Sequence, residues 1–310
     1  MTYLYLLAGE NLELAEAELK GFLESQEIDG GVARDGRMAR TDEEPERGQL
    51  RRLALVHEVS ELLGEGGIDD VSTDYRPENS FAVRATDTTG ERDTKQIEKE
   101  LGAELETAGN DVELENPDEV VRVYLVEDRY YIGKLVEEID RGLYERRKNQ
   151  ERPFSSPVSL DPVLARVLVN LSCVRPGEHL LDPFCGTGGI LIEAGLCGAG
   201  VHGLDVKGEM VSGTEKNLEE YGVIAHDIRE GEVEDAAELF DRKFDAAVTD
   251  LPYGKASKET DAAVEDFLDT VPGLVEGKTV FMSDQDSVGG HEPEFEVYVH
   301  RNLTRYIYII

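Results

Sequence analysis

The chain of 310 residues carries 32 Lys and Arg against 67 Asp and Glu, a formal net charge of −35. That balance excludes a generally basic nucleic-acid binder, because phosphate contacts need local positive charge. Hydrophobic residues make up 40%, too many for a disordered acidic chain, and the length suffices for about two domains whose cores need no disulfides. With 11 Lys against 21 Arg, the composition reads as halophilic, kept soluble where salt screens its self-repulsion. Cys173, Cys185 and Cys197 fit no zinc spacing, and their odd number argues against a disulfide framework. No metal site is expected. The opening residues lack the basic flank and long apolar run of a signal peptide, and no apolar stretch approaches the roughly 20 residues of a membrane helix. A cytoplasmic protein is expected, with no membrane association and no obligate protein partner.

In the first half, Tyr3–Ala8 reads as a strand. Leu12–Leu23 reads as an amphipathic helix with Leu12, Ala15, Leu19 and Phe22 on one face. Gly30–Arg40 is weakly patterned, residues 42–46 form a charged turn around Pro45, and Gln49–Leu63 returns to helical spacing. Ser80–Ala85, Val120–Val126 and Arg129–Leu135 read as strands, with a helix over Thr94–Glu106 marked by Ile97, Leu101 and Leu105. These elements predict small α+β units rather than a parallel sheet. Residues 140–153 then carry Arg141, Arg146, Arg147, Lys148 and Arg152 against Asp140, Glu145 and Glu151. This is the most conspicuous basic stretch, either a solvated linker helix or a phosphate-contacting strip.

The second half alternates. Short apolar runs at His179–Leu181, Val201–Leu204, Val223–Ala225, Asp245–Thr249 and Thr279–Met282 are separated by helical stretches at Gly189–Leu196, Gly208–Tyr221, Val233–Phe240 and Ala262–Leu268. That order predicts an α/β fold built on a doubly wound sheet. Phe295–Val299 and Arg305–Ile310 follow with no helix between them, giving an edge hairpin and a mixed, seven-stranded sheet.

The strongest local signal is Asp182-Pro183-Phe184-Cys185-Gly186-Thr187-Gly188-Gly189. A strand ends in a carboxylate, and a glycine-rich turn lets backbone approach a ligand at the carboxyl edge of the sheet. The third glycine of a dinucleotide fingerprint would fall on Leu191, and no Gly-Lys-Ser/Thr follows, so neither that motif nor a P-loop is present. The next strand ends in Asp205, placed to accept from ribose hydroxyls. The third is expected to end at His226-Asp227, where a carboxylate can meet an adenine amino group. The fourth ends in Asp250-Leu251-Pro252-Tyr253. Here Asp250 can accept from an amine, Pro252 fixes the turn, and Tyr253 offers a stacking face.

The order of these motifs resembles the S-adenosylmethionine-dependent amino methyltransferases. Within them it is similar to the archaeal tRNA (guanine10-N2)-methyltransferase/dimethyltransferase family. The lead-in Arg152-Pro153-Phe154-Ser155-Ser156-Pro157, followed by Asp161-Pro162-Val163-Leu164-Ala165-Arg166, resembles the same family. The resemblance implies a Rossmann-like catalytic domain at 159–310 and a basic linker at 140–158. Before them it implies an α+β ferredoxin-like region at 1–56 and a THUMP RNA-binding domain at 57–139. It further implies S-adenosylmethionine as cofactor and tRNA as partner. Asp182, Gly186 and Gly188 would hold the methionine part, Asp205 the ribose and Asp227 the adenine, with Phe184 also binding the cofactor. Asp250, Leu251, Pro252 and Tyr253 would form the catalytic tetrad, Leu251 replacing a proline common in the family. Arg141, Arg146, Arg147, Lys148 and Arg152 would contact RNA. Two other readings stand beside this one. The first is a methyltransferase acting on DNA adenine or cytosine amines or on a protein glutamine; the second is a non-catalytic tRNA-binding protein.

Overall fold

The computed structural model describes residues 1–28, 31–107, 109–157, 159–252, 258–300 and 303–310. Two compact units divide the chain, one comprising Met1–Glu16, Ile28–Arg51 and Leu55–Asp140, the other Ala17–Glu27, Arg52–Ala54 and Arg141–Ile310. Among the described residues no helix is long and apolar enough to cross a membrane.

The first unit draws on β1 (Tyr3–Leu7), the start of α1 (Leu12–Glu24), β2 (Ala33–Asp35), β3 (Met38–Thr41), β4 (Val56–Gly67), β5 (Phe81–Asp87), α2 (Thr94–Leu105), β6 (Glu119–Val126) and β7 (Arg129–Glu138). Its strands form one seven-stranded sheet in the order β2-β3-β1-β4-β7-β6-β5. All pairs are antiparallel except β5 with β6, which α2 connects as a crossover. The boundary expected at residue 56 therefore meets the first residue of a central strand, and the sheet runs on across it. The weakly patterned 30–40 segment is the β2–β3 hairpin.

Helical spacing over Gln49–Leu63 is not realised. A short 3-10 turn over Arg47–Arg52 is followed by β4, which is 12 residues long. Its pairing with β7 slips between Val59 and Ser60 and again between Leu62 and Gly64. Each bulge inserts an extra residue and breaks the two-residue alternation. Its pairing with β1 slips as well, Leu6 facing Glu58 and Leu7 facing Val56 with His57 as the extra residue. Val56 and Val59 on either side of it are both fully buried, and that three-residue interval mimics a helix.

The second unit adds α3 (Gly142–Glu145), α4 (Pro162–Leu171), β8 (His179–Asp182), α5 (Gly189–Leu196), β9 (Gly200–Asp205), α6 (Gly208–Glu220), β10 (His226–Glu230), α7 (Ala236–Phe240), β11 (Ala246–Asp250), α8 (Lys258–Thr270), β12 (Thr279–Ser283), β13 (Phe295–His300) and β14 (Leu303–Ile309). The sheet order is β10-β9-β8-β11-β12-β14-β13, with β8 to β12 parallel and the last two strands antiparallel. The seven-stranded mixed sheet is thus as read from the sequence. Strand order reverses between β8 and β11, and such a switch point opens a crevice at the carboxyl ends. One apolar layer joins Leu181, Leu204, Phe244, Leu251, Phe267 and Phe281, with Tyr308 stacked on Phe281 at 4.7 Å.

The strand expected at Val223–Ala225 is displaced. Gly222, at φ +71°, ends α6, and Val223 N–H donates to Leu218 O while Gly222 N–H donates to Glu219 O. This paired closure is a Schellman motif, which commonly buries an apolar residue just beyond the glycine. Val223 is that residue, and β10 starts three positions later.

Candidate active site

The glycine-rich turn follows directly from β8. Gly186 and Gly188 have φ of +52° and +77°, which side-chain-bearing residues rarely adopt. A Cβ on Gly188 would stand 2.7 Å from Thr214 Cγ2. Thr214 Oγ1 donates to Gly186 O at 2.7 Å, so α6 clamps the turn from outside. The turn borders a cavity of about 200 Å³ whose lining includes Ser159, Asp182, Phe184, Gly186, Asp250 and Pro252. The cavity thus brings the glycine-rich motif and the Asp250–Pro252 motif to one place.

Asp182 is buried beneath this cavity and accepts from Thr249 Oγ1 at 2.6 Å and Phe184 N–H at 3.1 Å. Burial pushes its carboxyl up to about 7, against the pull of those two donors and with help from the neighbouring charges of Asp250 and Asp205. Asp205 ends β9. Its Oδ2 accepts from Gly186 N–H at 3.1 Å and its Oδ1 from Lys207 N–H at 2.9 Å. One lone pair on each oxygen remains for a ligand hydroxyl.

Asp227 does not join them. It is the second residue of β10, in register with His202 in the middle of β9, whereas Glu230 is the residue level with Asp205. Its carboxylate takes two hydrogen bonds from Arg229, at 2.7 and 2.9 Å. The expected adenine-facing role rested on the misplaced strand. The carboxyl end of β10 is instead Glu230-Gly231-Glu232, where Gly231 N–H donates to Asp205 O.

Asp250 ends β11. Arg305 Nη1 donates to its Oδ1 at 3.2 Å. Burial raises the carboxyl to about 7; Arg305 opposes that rise and Asp284 adds to it. Leu251 is buried in the apolar layer, and its N–H donates to Met282 O at 2.9 Å. A proline could not make that bond. Pro252 lines the cavity, and Tyr253 lies outside the described residues. Sequence reading missed Thr249 and Arg305. The available signal for Arg305 was a lone charge within the apolar run Leu303–Ile310.

The basic strip splits into two kinds of residue. Arg147 donates to Glu193 through Nε at 2.6 Å and Nη2 at 3.1 Å, Arg166 reaches the same carboxylate at 2.8 Å, and Glu193 is fully buried. Arg152 is buried, donating to Arg147 O, Ser159 Oγ and Thr187 Oγ1. Arg147 and Arg152 are therefore structural, contrary to the phosphate-contacting expectation. Arg146 is exposed, while Arg141 and Lys148 are half-buried, Lys148 facing Glu145 at 2.7 Å.

A family model described as RMKL-like, methyltransferase domain, matches residues 149–271. The chain is 36% identical to the tRNA (guanine(10)-N2)-dimethyltransferase of Methanothermobacter thermautotrophicus, an alignment covering 100% of this chain and 99% of the relative. The crystal structure of TrmN from Thermus thermophilus superposes with a TM-score of 0.55 at 18% identity, covering 100% and 99% of the two chains. SMU.472, solved complexed with SAH, gives 0.54 at 14% identity, covering 99% and 97%. These two structures show a shared fold, that of the α/β methyltransferases.

Proposed function

The chain belongs to the tRNA (guanine(10)-N2)-dimethyltransferase family, and from that premise we propose that it methylates the exocyclic N2 amine of guanosine 10 in tRNA, using S-adenosylmethionine and ending at the dimethylated base. One observation carries the reading. Asp250, an acid at the carboxyl end of β11, lines the same cavity as Asp182 and the glycine turn.

The residues present fit this cofactor. The positive φ of Gly186 and Gly188 and the closeness of Thr214 to Gly188 keep side chains out of the turn that borders the cavity, and Asp205 keeps lone pairs suited to two ribose hydroxyls. Asp182, Phe184, Gly186 and Gly188 would hold the methionine part, and the carboxyl end of β10 the adenine. When bound, the cofactor supplies an electrophilic methyl group on a positively charged sulfur. The guanine amine is a poor nucleophile because its lone pair is delocalised into the ring. In the proposed arrangement Asp250 Oδ2 accepts one amine N–H and the Leu251 carbonyl another, drawing the nitrogen out of conjugation. Positioning of this kind can lower a barrier by up to about 7–11 kcal/mol. The proton shed by the methylated nitrogen passes to Asp250, whose carboxyl near 7 suits a neutral-pH acceptor. Tyr253 takes the stacking role that the family resemblance gives it, offsetting part of the few kcal/mol of unstacking a paired base.

The first unit is assigned to RNA recognition, on the resemblance of residues 57–139 to a THUMP domain. Arg141, Arg146 and Lys148 remain the candidate phosphate contacts beside the catalytic fold. The test is methyl transfer from labelled S-adenosylmethionine to unmodified tRNA transcripts in concentrated potassium chloride, followed by nucleoside mass analysis, with duplex DNA as control. N2,N2-dimethylguanosine at position 10 is expected. Transfer to DNA alone, or tight tRNA binding without transfer, would refute the proposal.

A further inference from the structure

Arg305 stands on β14, separated from β11 in the sheet by β12. Ser283, the last residue of β12, pairs with Tyr306, so Arg305 lies just past that strand's end. Its side chain crosses the carboxyl end of β12 to reach Asp250, and only 5% of it is exposed. A guanidinium taken so far from water is costly unless paired. A guanidinium can take both oxygens of one carboxylate, as Arg147 does on Glu193 with 2.6 and 3.1 Å. The Arg305 bond to Asp250 is longer, at 3.2 Å, and runs to Oδ1. Among the described residues Oδ2 accepts no hydrogen bond.

We infer that Arg305 is a positioning residue for amine methylation, fixing one oxygen of Asp250 so that the other meets the target amine as a charged acceptor. The inference rests on the proposed reaction at Asp250. Among the described residues three charged groups face this carboxylate: Arg305 from β14, Asp284 just past the end of β12, and Asp182 from β8. Arg305 alone among them favours the ionised form. Without it, the buried carboxyl takes up a proton at neutral pH and presents a donor where the amine needs an acceptor.

The experiment measures kcat against pH for wild type, Arg305→Met, Arg305→Lys and Asp284→Asn, with S-adenosylmethionine affinity and thermal melting as controls. Arg305→Met is expected to lose at least about tenfold in kcat at neutral pH, one pKa unit being a factor of ten. The loss should shrink as pH rises, while cofactor affinity holds. Arg305→Lys should show the same displacement to a smaller degree. Asp284 is exposed, and Asp284→Asn should move the acid limb the other way, to lower pH. If Arg305→Met does not fold, the last two variants still read the limb. An unmoved acid limb in the Arg305 variants, or activity lost only in step with cofactor binding and melting, overturns the inference. A wild type that methylates no tRNA guanosine overturns the reading beneath it, and the inference with it.

Discussion

Arg146 and Arg147 are neighbours in sequence and opposites in structure, so alanine at each should leave different signatures. Arg147→Ala removes two hydrogen bonds from a fully buried carboxylate. Breaking one side of a buried ion pair costs about 3–5 kcal/mol. Glu193 keeps Arg166 at 2.8 Å, which places the loss near the lower end, about 3 kcal/mol by the same reasoning. Some of that loss comes from the contact of Arg147 with the Tyr144 ring, 4.6 Å from guanidinium carbon to centroid. Arg146 is exposed, and its removal should change stability by less than about 0.5 kcal/mol.

Urea denaturation at fixed potassium chloride reads the first quantity, and tRNA affinity titrated against salt reads the second. If Arg146 meets a phosphate, its removal lowers the slope of log affinity on log salt by about 0.7–0.9. Arg147→Ala should leave that slope unchanged once the protein is folded. A normal urea midpoint for Arg147→Ala together with a reduced salt slope would refute the structural assignment.

Three further outcomes follow from the site. Asp250→Asn preserves shape but not charge, so single-turnover methyl transfer should fall by about 10²–10⁴-fold while calorimetric cofactor affinity holds; parallel loss of both would remove Asp250 from catalysis. Asp182 rises from 3.8 to about 7 on folding, so its contribution to stability is present below about 4 and lost as pH climbs to about 7. Asp182→Asn should therefore melt higher than wild type at pH 8, with the gap closing toward pH 4, and should bind cofactor more weakly; a pH-independent gap would contradict the burial argument. Leu251→Pro restores the residue common in the family but breaks the bond to Met282 O and empties a buried site. It should lose about 2–5 kcal/mol in urea denaturation, as large-to-small core changes do, and unchanged stability would show that the loop repacks freely.

The carboxylates at 182, 205 and 250 were legible because each closes an apolar run and meets a glycine or proline turn, all within a few residues. The failures share a different cause. The helical spacing of β4 misleads because the bulge at His57 sets Val56 and Val59 three residues apart on a buried strand, a fact the partner strand β1 decides. Asp227 was misplaced because Val223 satisfies a helix end rather than a sheet. The basic strip looked uniform in sequence, yet Arg147 finds its partner 46 residues away, and Arg305 crosses 55 residues to reach Asp250. Local chemistry announces where a strand ends. It is silent on which charges are taken inside.

That distinction bears on how so acidic a chain can hold tRNA. Many of its arginines already face carboxylates, Arg122 on Glu58 and Arg34 on Glu16 among them. A groove of about 330 Å³ in the first unit is lined by Arg34, Arg40 and Arg129. It would pass for a phosphate site, but Arg40 and Arg129 both pair with Glu65. A phosphate entering there must displace a resident carboxylate, which cancels most of the electrostatic gain. Arg141, Arg146 and Lys148 alone would supply a salt slope of roughly 2–3 at about 0.7–0.9 per contact. A slope of that size costs about 10²–10³-fold in affinity per tenfold rise in salt, far less than a binder with about 6–10 phosphate contacts loses. Under the proposed function, recognition would then rest on the shape of the folded RNA and on its 2′-hydroxyls, interactions that potassium chloride does not screen.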